Sequence, residues 1–199
     1  MRYIAGKTEI INPGISSSEW EKAQPGKIID GPWSGFAPTP ETEFKVLRGP
    51  EGISVLMHTA EKNLKADCTE HNGNVYLDSC MEFFIKPDPW SLYYFNFEIN
   101  PKGIAHIGFG RDRYGRQLID TDRAVFDIES IPEDGNWTLK FYIPDSFFLS
   151  YVSCVASVCK ANFYKCGNKN GENHYGTWSL VETPAPDFHL TDFFGRIEL

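Results

Sequence analysis

Two carboxylates, Glu82 and Glu98, sit inside alternating apolar segments, residues 81–86 and 93–100, rather than in polar loops. On neighbouring strands such a pair comes within the ~5–9 Å that glycoside hydrolysis requires across a scissile bond. The same pair in a cleft would also hydrogen-bond sugar hydroxyls, so catalysis and binding are both open at this level. Within residues 93–100, Tyr93, Phe95, Phe97 and Ile99 share one strand face, and Tyr94, Asn96, Glu98 and Asn100 share the other. Every second residue advances ~7 Å, so the second face is a row of evenly spaced polar groups. A sugar ring asks for that chemistry: a flat aromatic for its C–H face, and polar side chains to re-pair its desolvated hydroxyls. A solvated outer face would read the same way.

Other chemistries find less support. His58, His71, His106, His174 and His189 show no HxH or HExxH spacing. Gly108-Phe109-Gly110 lacks the lysine and following helix of a phosphate loop. Cys154 and Cys159 lie among Val and Ala, where buried inert thiols are the default. Asp120-Thr121-Asp122 and Asp134-Gly135-Asn136 offer oxygen ligands, although turn chemistry explains both. Asp78 and Glu82 are spaced to share a strand face, where a shared cation, a hydrogen-bond network and plain solvation are all open.

The elements that must position these groups are strands. Residues 53–60, 81–86, 93–100, 104–109, 137–143 and 152–163 read as strands, with 197–199 closing an edge. Pro101-Lys102-Gly103 and Asp134-Gly135-Asn136 supply turns between them. The segment from Ser16 to Ala23 could open one short helical turn with a serine cap, stopped by Pro25-Gly26. Regular turns and almost no helix predict an all-β, two-sheet antiparallel sandwich of jelly-roll or immunoglobulin-like type. With no internal repeat and no shift of composition, residues 1–199 are expected to form one domain, on which residues 1–32 pack as an extension.

Bulk properties narrow the partners. A net charge of −8 with no Lys/Arg cluster argues against nucleic acid. No apolar run is long enough for a membrane-spanning helix. The opening Met1-Arg2-Tyr3-Ile4-Ala5-Gly6-Lys7 lacks the apolar stretch of a secretion signal. Five cysteines, an odd number without paired metal spacing, fit free thiols in a reducing compartment. The expected location is cytoplasmic, or outside the cell if a leader has been trimmed. The 15% aromatic content suits pleated surfaces and ligand stacking alike.

Several segments in order carry a resemblance. They are the run from Val75 through Asp78-Ser79-Cys80-Met81-Glu82 to Ile85, then Tyr94-Phe95-Asn96-Phe97-Glu98-Ile99-Asn100 with Gly103. Trp137-Thr138-Leu139-Lys140, Ala161-Asn162-Phe163-Tyr164, His174-Tyr175-Gly176-Thr177-Trp178-Ser179, Pro186-Asp187-Phe188-His189 and Phe194-Gly195 follow. Over about residues 33–199 the chain resembles the family 9 carbohydrate-binding modules of the DOMON-like superfamily. That resemblance implies a non-catalytic sandwich, often carrying structural calcium, whose cleft clamps a terminal sugar between two aromatics. It places Tyr76 and Trp178 as the clamp, Glu82 and Glu98 as rim hydrogen-bonders, and Lys160 and Asn162 as candidates from the late strand. The ligand is then a mono- or oligosaccharide; no cofactor is required and one structural calcium is allowed. Two departures stand out: Tyr76 replaces a more usual tryptophan, and Glu98 replaces an arginine. A carboxylate there accepts hydroxyl hydrogen bonds instead of donating them. Trp137 alternates with Leu139, Phe141 and Ile143 and belongs in the core, whereas Trp20, Trp33 and Trp90 lie near turns.

Overall fold

Side chains alternating with a period of two govern most of the chain. The computed structural model, which describes residues 1–167 and 173–199, shows what that period builds. In chain order the strands are β1 (Arg2–Ile4), β2 (Gly6–Lys7), β3 (Gly26–Asp30), β4 (Thr42–Arg48), β5 (Gly52–Thr59), β6 (Ser79–Lys86) and β7 (Tyr94–Ile99). They continue as β8 (Ala105–Gly110), β9 (Gln117–Leu118), β10 (Glu129–Glu133), β11 (Asn136–Pro144), β12 (Val158–Gly167), β13 (His174–Thr177) and β14 (Gly195–Glu198).

These strands form two packed layers. The first runs β13-β12-β6-β7-β8-β9, and β14 pairs with the early half of β12. The second runs β10-β11-β5-β4-β3. Strand β3 serves both layers: Gly26, Lys27 and Ile28 pair with β4, while Ile29 and Asp30 pair with β13. Neighbours pair antiparallel except for two N-terminal contacts, β1 with β14 and β2 with β4. The first residues are thus threaded into both layers.

Alternation sends one set of side chains between the layers. Phe83, Phe97 and Phe163 from the first layer meet Phe44, Val55 and Phe141 from the second in a single apolar core. Phe44 stacks on Phe163 with centroids 3.6 Å apart. Trp137 is fully buried there, as its alternation predicts.

The helical turn near the N-terminus is a 3₁₀ turn, Ser18–Lys22, capped by the Ser17 hydroxyl, which accepts from Glu19 N–H. The expected strand over 152–163 begins later, at Val158, because Pro144 leads into the short helix α1 (Asp145–Leu149) and a turn follows it. At the β7–β8 turn, Gly103 takes φ +71° and the Asn100 side-chain oxygen accepts from the N–H groups of Lys102 and Ile104. That pairing makes Asn100 a turn residue.

Candidate functional site

The outward set of the first layer has the opposite character. Cys80, Glu82 and Phe84 alternate on β6; Tyr94, Asn96 and Glu98 on β7; Asn162, Tyr164 and Cys166 on β12. All are buried. The register places Tyr164, Glu82, Glu98 and His106 side by side across four strands, with Cys166 directly opposite Cys80 along the same sheet. A polar strand face would ordinarily meet water. Here loops cover it, and each is tied down by a polar anchor. Asp78 accepts from the N–H groups of Asp67 and Cys68 and from the Asn100 amide, which pins the loop before β6. Tyr164 donates to the Phe188 carbonyl and stacks on the Phe188 ring at 4.1 Å, which pins the loop after β13.

Between these loops a cavity of ≈ 410 Å³ opens onto the sheet. Glu82, Glu98 and Cys166 form its floor. Aromatic walls rise from Phe36, Tyr76, Tyr175 and Phe188, and Tyr114, 93% exposed, stands at the rim. Tyr76 sits in a 3₁₀ turn, Val75–Leu77, edge-on to His106 at 6.2 Å. Tyr175 meets Phe36 edge-on at 4.8 Å and is backed by Trp33 at 6.3 Å.

Arg113 and Arg116 bring cationic groups to the same space. Arg116 Nη1, which can only donate, lies 2.8 Å from His189 Nε2 and 3.0 Å from its Nδ1. The Tyr94 hydroxyl lies 2.7 Å from the same Nδ1. Burial, then the charges of Arg116, Arg113 and His106, push the His189 pKa down to about 2, so the imidazole stays neutral.

Burial is also the main force on the two floor carboxyls. It lifts Glu82 well above the usual carboxylate range, and the neighbouring Cys166 and Glu98 push in the same direction. Burial lifts Glu98 as well, but His106, Arg116, Arg113 and the Asn96 amide all favour its charged form. Asn96 Nδ2 donates to Glu98 Oε1 at 2.9 Å. Burial therefore lifts both like groups, but the surroundings of Glu98 oppose the shift, whereas Cys166 and Glu98 add to it at Glu82. The floor sets two carboxyl groups side by side, with Glu82 the more strongly driven to its neutral form.

Of the residues expected to bind, the structure brings Tyr76, Glu82 and Glu98 together. It places the other three elsewhere. Trp178 is not the second wall: it is 4% exposed and packed between the layers against Phe44 and Phe163. The reason is strand parity. Tyr175 lies opposite outward-facing Cys166, and Trp178, three residues on, continues the ladder beside inward-facing Phe163. Asn162 is buried, its amide spent on Ser179: Nδ2 donates to the Ser179 carbonyl and Oδ1 accepts from Ser179 N–H. Lys160 is exposed at the far end of β12, opposite Lys86 and outside the cavity lining.

Other expectations also resolve. Trp20 is buried with Ala23 and Leu47, Trp33 supports the aromatic wall, and Trp90 is 91% exposed. Asp122 caps a 3₁₀ turn by accepting from Ala124 N–H, and Asp134-Gly135 makes the β10–β11 turn with Gly135 at φ +80°. Residues 168–172, between β12 and β13 in the chain, lie outside the described residues. Sequence reasoning missed Arg116, Arg113, His189, Tyr175 and Cys166. The segments holding Tyr175 and His189 had been singled out, and face parity would have chosen Tyr175 over Trp178. Nothing local marks Arg116, which follows an ordinary polar turn.

The model of carbohydrate-binding family 9 matches residues 18–199. No curated protein matches the sequence. Among solved structures, a candidate carbohydrate-binding protein from Bacteroides uniformis ATCC 8492 superposes with a TM-score of 0.89 at 25% identity, covering 99% of this chain and 98% of that one. A family 9 carbohydrate-binding module from Caldicellulosiruptor kristjanssonii, in complex with glucose, gives 0.67 at 11% identity over 100% of this chain and 95% of that one. A family 9 carbohydrate-binding module from the same organism, in complex with cellotriose, gives 0.69 at 11%, over 100% and 93%. At that identity these two structures share the fold.

Proposed function

The chain belongs to carbohydrate-binding family 9, and we propose that the cavity on its first layer holds the end of a mono- or oligosaccharide without transforming it. The observation that carries this reading is the floor itself: two buried carboxyls in adjacent register, under aromatic walls, in a cavity of a size suited to small ligands. A ring stacked on Tyr76 or Tyr175 would present adjacent hydroxyls downward. With Glu82 neutral and Glu98 charged, the first donates to one and the second accepts from the other, so the pair recognises a diol by its opposite hydrogen-bonding needs. Arg113 and Arg116 supply further donors.

Catalysis fits this geometry less well. Directly opposed residues on paired strands hold their Cβ atoms ~5 Å apart on one surface. A glycosidase needs its carboxyls on two sides of the bond to be cut. Glu82 and Glu98 lie together beneath any ligand, and neither faces the other across it.

Calorimetric titration against a panel that starts with glucose and cello-oligosaccharides tests the proposal. The wild type is expected to bind at least one member. Glu98→Gln is expected to weaken it by about tenfold or more, as loss of a charged hydrogen-bond partner does. No binding across the panel, or binding indifferent to Glu98→Gln, would reject the reading. Turnover of chromogenic glycosides that Glu82→Gln abolishes would replace it with hydrolysis.

A further inference from the structure

The cysteine beside Glu82 has no part in the saccharide reading, yet it is not an isolated thiol. Cys80 Sγ, a Glu82 carboxylate oxygen and Cys166 Sγ all lie within 4.8 Å of one another. Cys166 Sγ is 3.2 Å from Glu82 Oε1. The three side chains are 0%, 3% and 2% exposed. Strand geometry explains the convergence. Cys80 and Glu82 are two apart on β6 and face the same way, while Cys166 on β12 is paired directly with Cys80. Among the described residues this is the single group of three such ligands that comes together.

We propose that Cys80, Glu82 and Cys166 form a binding site for a thiophilic divalent cation of the zinc class. Four-coordinate zinc, with sulfur at ~2.3 Å and oxygen at ~2.0–2.2 Å, sets its ligand atoms roughly 3.4–3.8 Å apart, so the three atoms need draw together by at most about 1.4 Å to fill three of its four positions. Two thiolates select zinc, cadmium or cobalt over calcium and magnesium, which prefer oxygen. Glu82 and Cys166 also line the cavity, which supplies both an entry path and an open fourth position. Coordination requires the deprotonated ligands, and their protons pass to solvent as the metal enters. Two thiolates and a carboxylate around a divalent ion leave one net negative charge, which the Arg116 guanidinium on the same cavity wall offsets.

The test uses the reduced full chain with cadmium alone and no saccharide, so its outcome bears on this site and not on the sugar reading. The wild type is expected to take up about one equivalent, with the ultraviolet absorption of a thiolate–cadmium bond and release of protons. Cys68→Ser/Cys154→Ser, which removes the two solvent-accessible cysteines outside the cluster and leaves only the buried Cys159 in addition to it, is expected to retain that signal. Cys166→Ser is expected to lose it or weaken uptake by about tenfold or more. Absence of the absorption in the folded wild type overturns the site, whatever the variants do. So does its disappearance in the Cys68→Ser/Cys154→Ser protein, which would trace the signal to surface thiols.

Discussion

The two faces of the first layer are both buried, and they are built on opposite principles. Between the layers, Phe83, Phe97, Ile99 and Phe163 exclude water with groups that need no partner. On the outer side, Glu82, Asn96, Glu98 and Asn162 are equally dry, and each must find a hydrogen bond or lose its charge. The same strands carry both sets, one residue out of phase. An apolar face is stable by area alone, whereas a buried polar face is stable only as a completed network. A protein that keeps two carboxyls in such a face holds them ready for a ligand, since burial there gives folding little in return.

The largest expected effect falls on the inner face. Trp178→Ala empties a site enclosed by Tyr3, Phe44 and Phe163 and should destabilise the protein by about 3–5 kcal/mol, read in chemical denaturation. Saccharide affinity of the fraction that remains folded should be unchanged. Selective loss of binding at full stability would instead place this ring in the cleft. Tyr175→Ala, on the outer face, should show the reverse profile. A loss of about 1–2 kcal/mol in binding, roughly five- to thirtyfold, is expected by calorimetry, with a smaller change in stability.

That contrast also explains what the sequence made legible. Period-two alternation in residues 93–100 is written in local residue types, so β7, its two faces and its partner β8 could be read directly. The sandwich follows from many such segments, and the order of the family segments pointed to Tyr76, Glu82 and Glu98. The outer face remained ambiguous because alternation says which residues are polar, not whether a loop will cover them. Covering depends on Asp78 reaching back to Asp67 and Cys68, and on Tyr164 holding Phe188, contacts between segments far apart in the chain. Trp178 was misplaced because its face depends on the register of β13 against β12, which no local pattern encodes.

Smaller, but more diagnostic, is the effect of removing a proton from the outer network. The folded-state pKa of Glu82 is raised by burial, so the native chain holds a proton there that the unfolded chain releases. For an acid with a raised pKa, stability is complete below the ordinary glutamate value and declines as pH rises toward the folded value. Neutral His189 acts oppositely: its contribution is complete above the ordinary histidine value and is lost as pH falls from there toward about 2. Glu82→Gln removes the first dependence and keeps the shape of the side chain. Its melting temperature at pH 7 should exceed the wild type's, by about 2–4 °C for each kcal/mol recovered, with a flatter decline above the glutamate range. A variant that melts lower, or keeps the wild-type slope, would show that Glu82 is ionised in the fold and that the outer network is completed by charge.

The least effect is expected where the outer face ends. Lys160 lies on β12 two residues before Asn162, but its side chain stays in water. An exposed lysine makes no obligatory hydrogen bond, and its charge is screened from a cavity it does not line. Lys160→Ala should therefore shift stability by no more than about 0.5 kcal/mol and leave saccharide titrations superimposable on the wild type's. A tenfold loss of affinity would mean that the ligand extends beyond the cavity along β12 and draws on a side chain whose partner is the sugar alone. The boundary between the two kinds of outer surface, the covered network and the solvated strand end, would then lie nearer to Lys160 than the loops indicate.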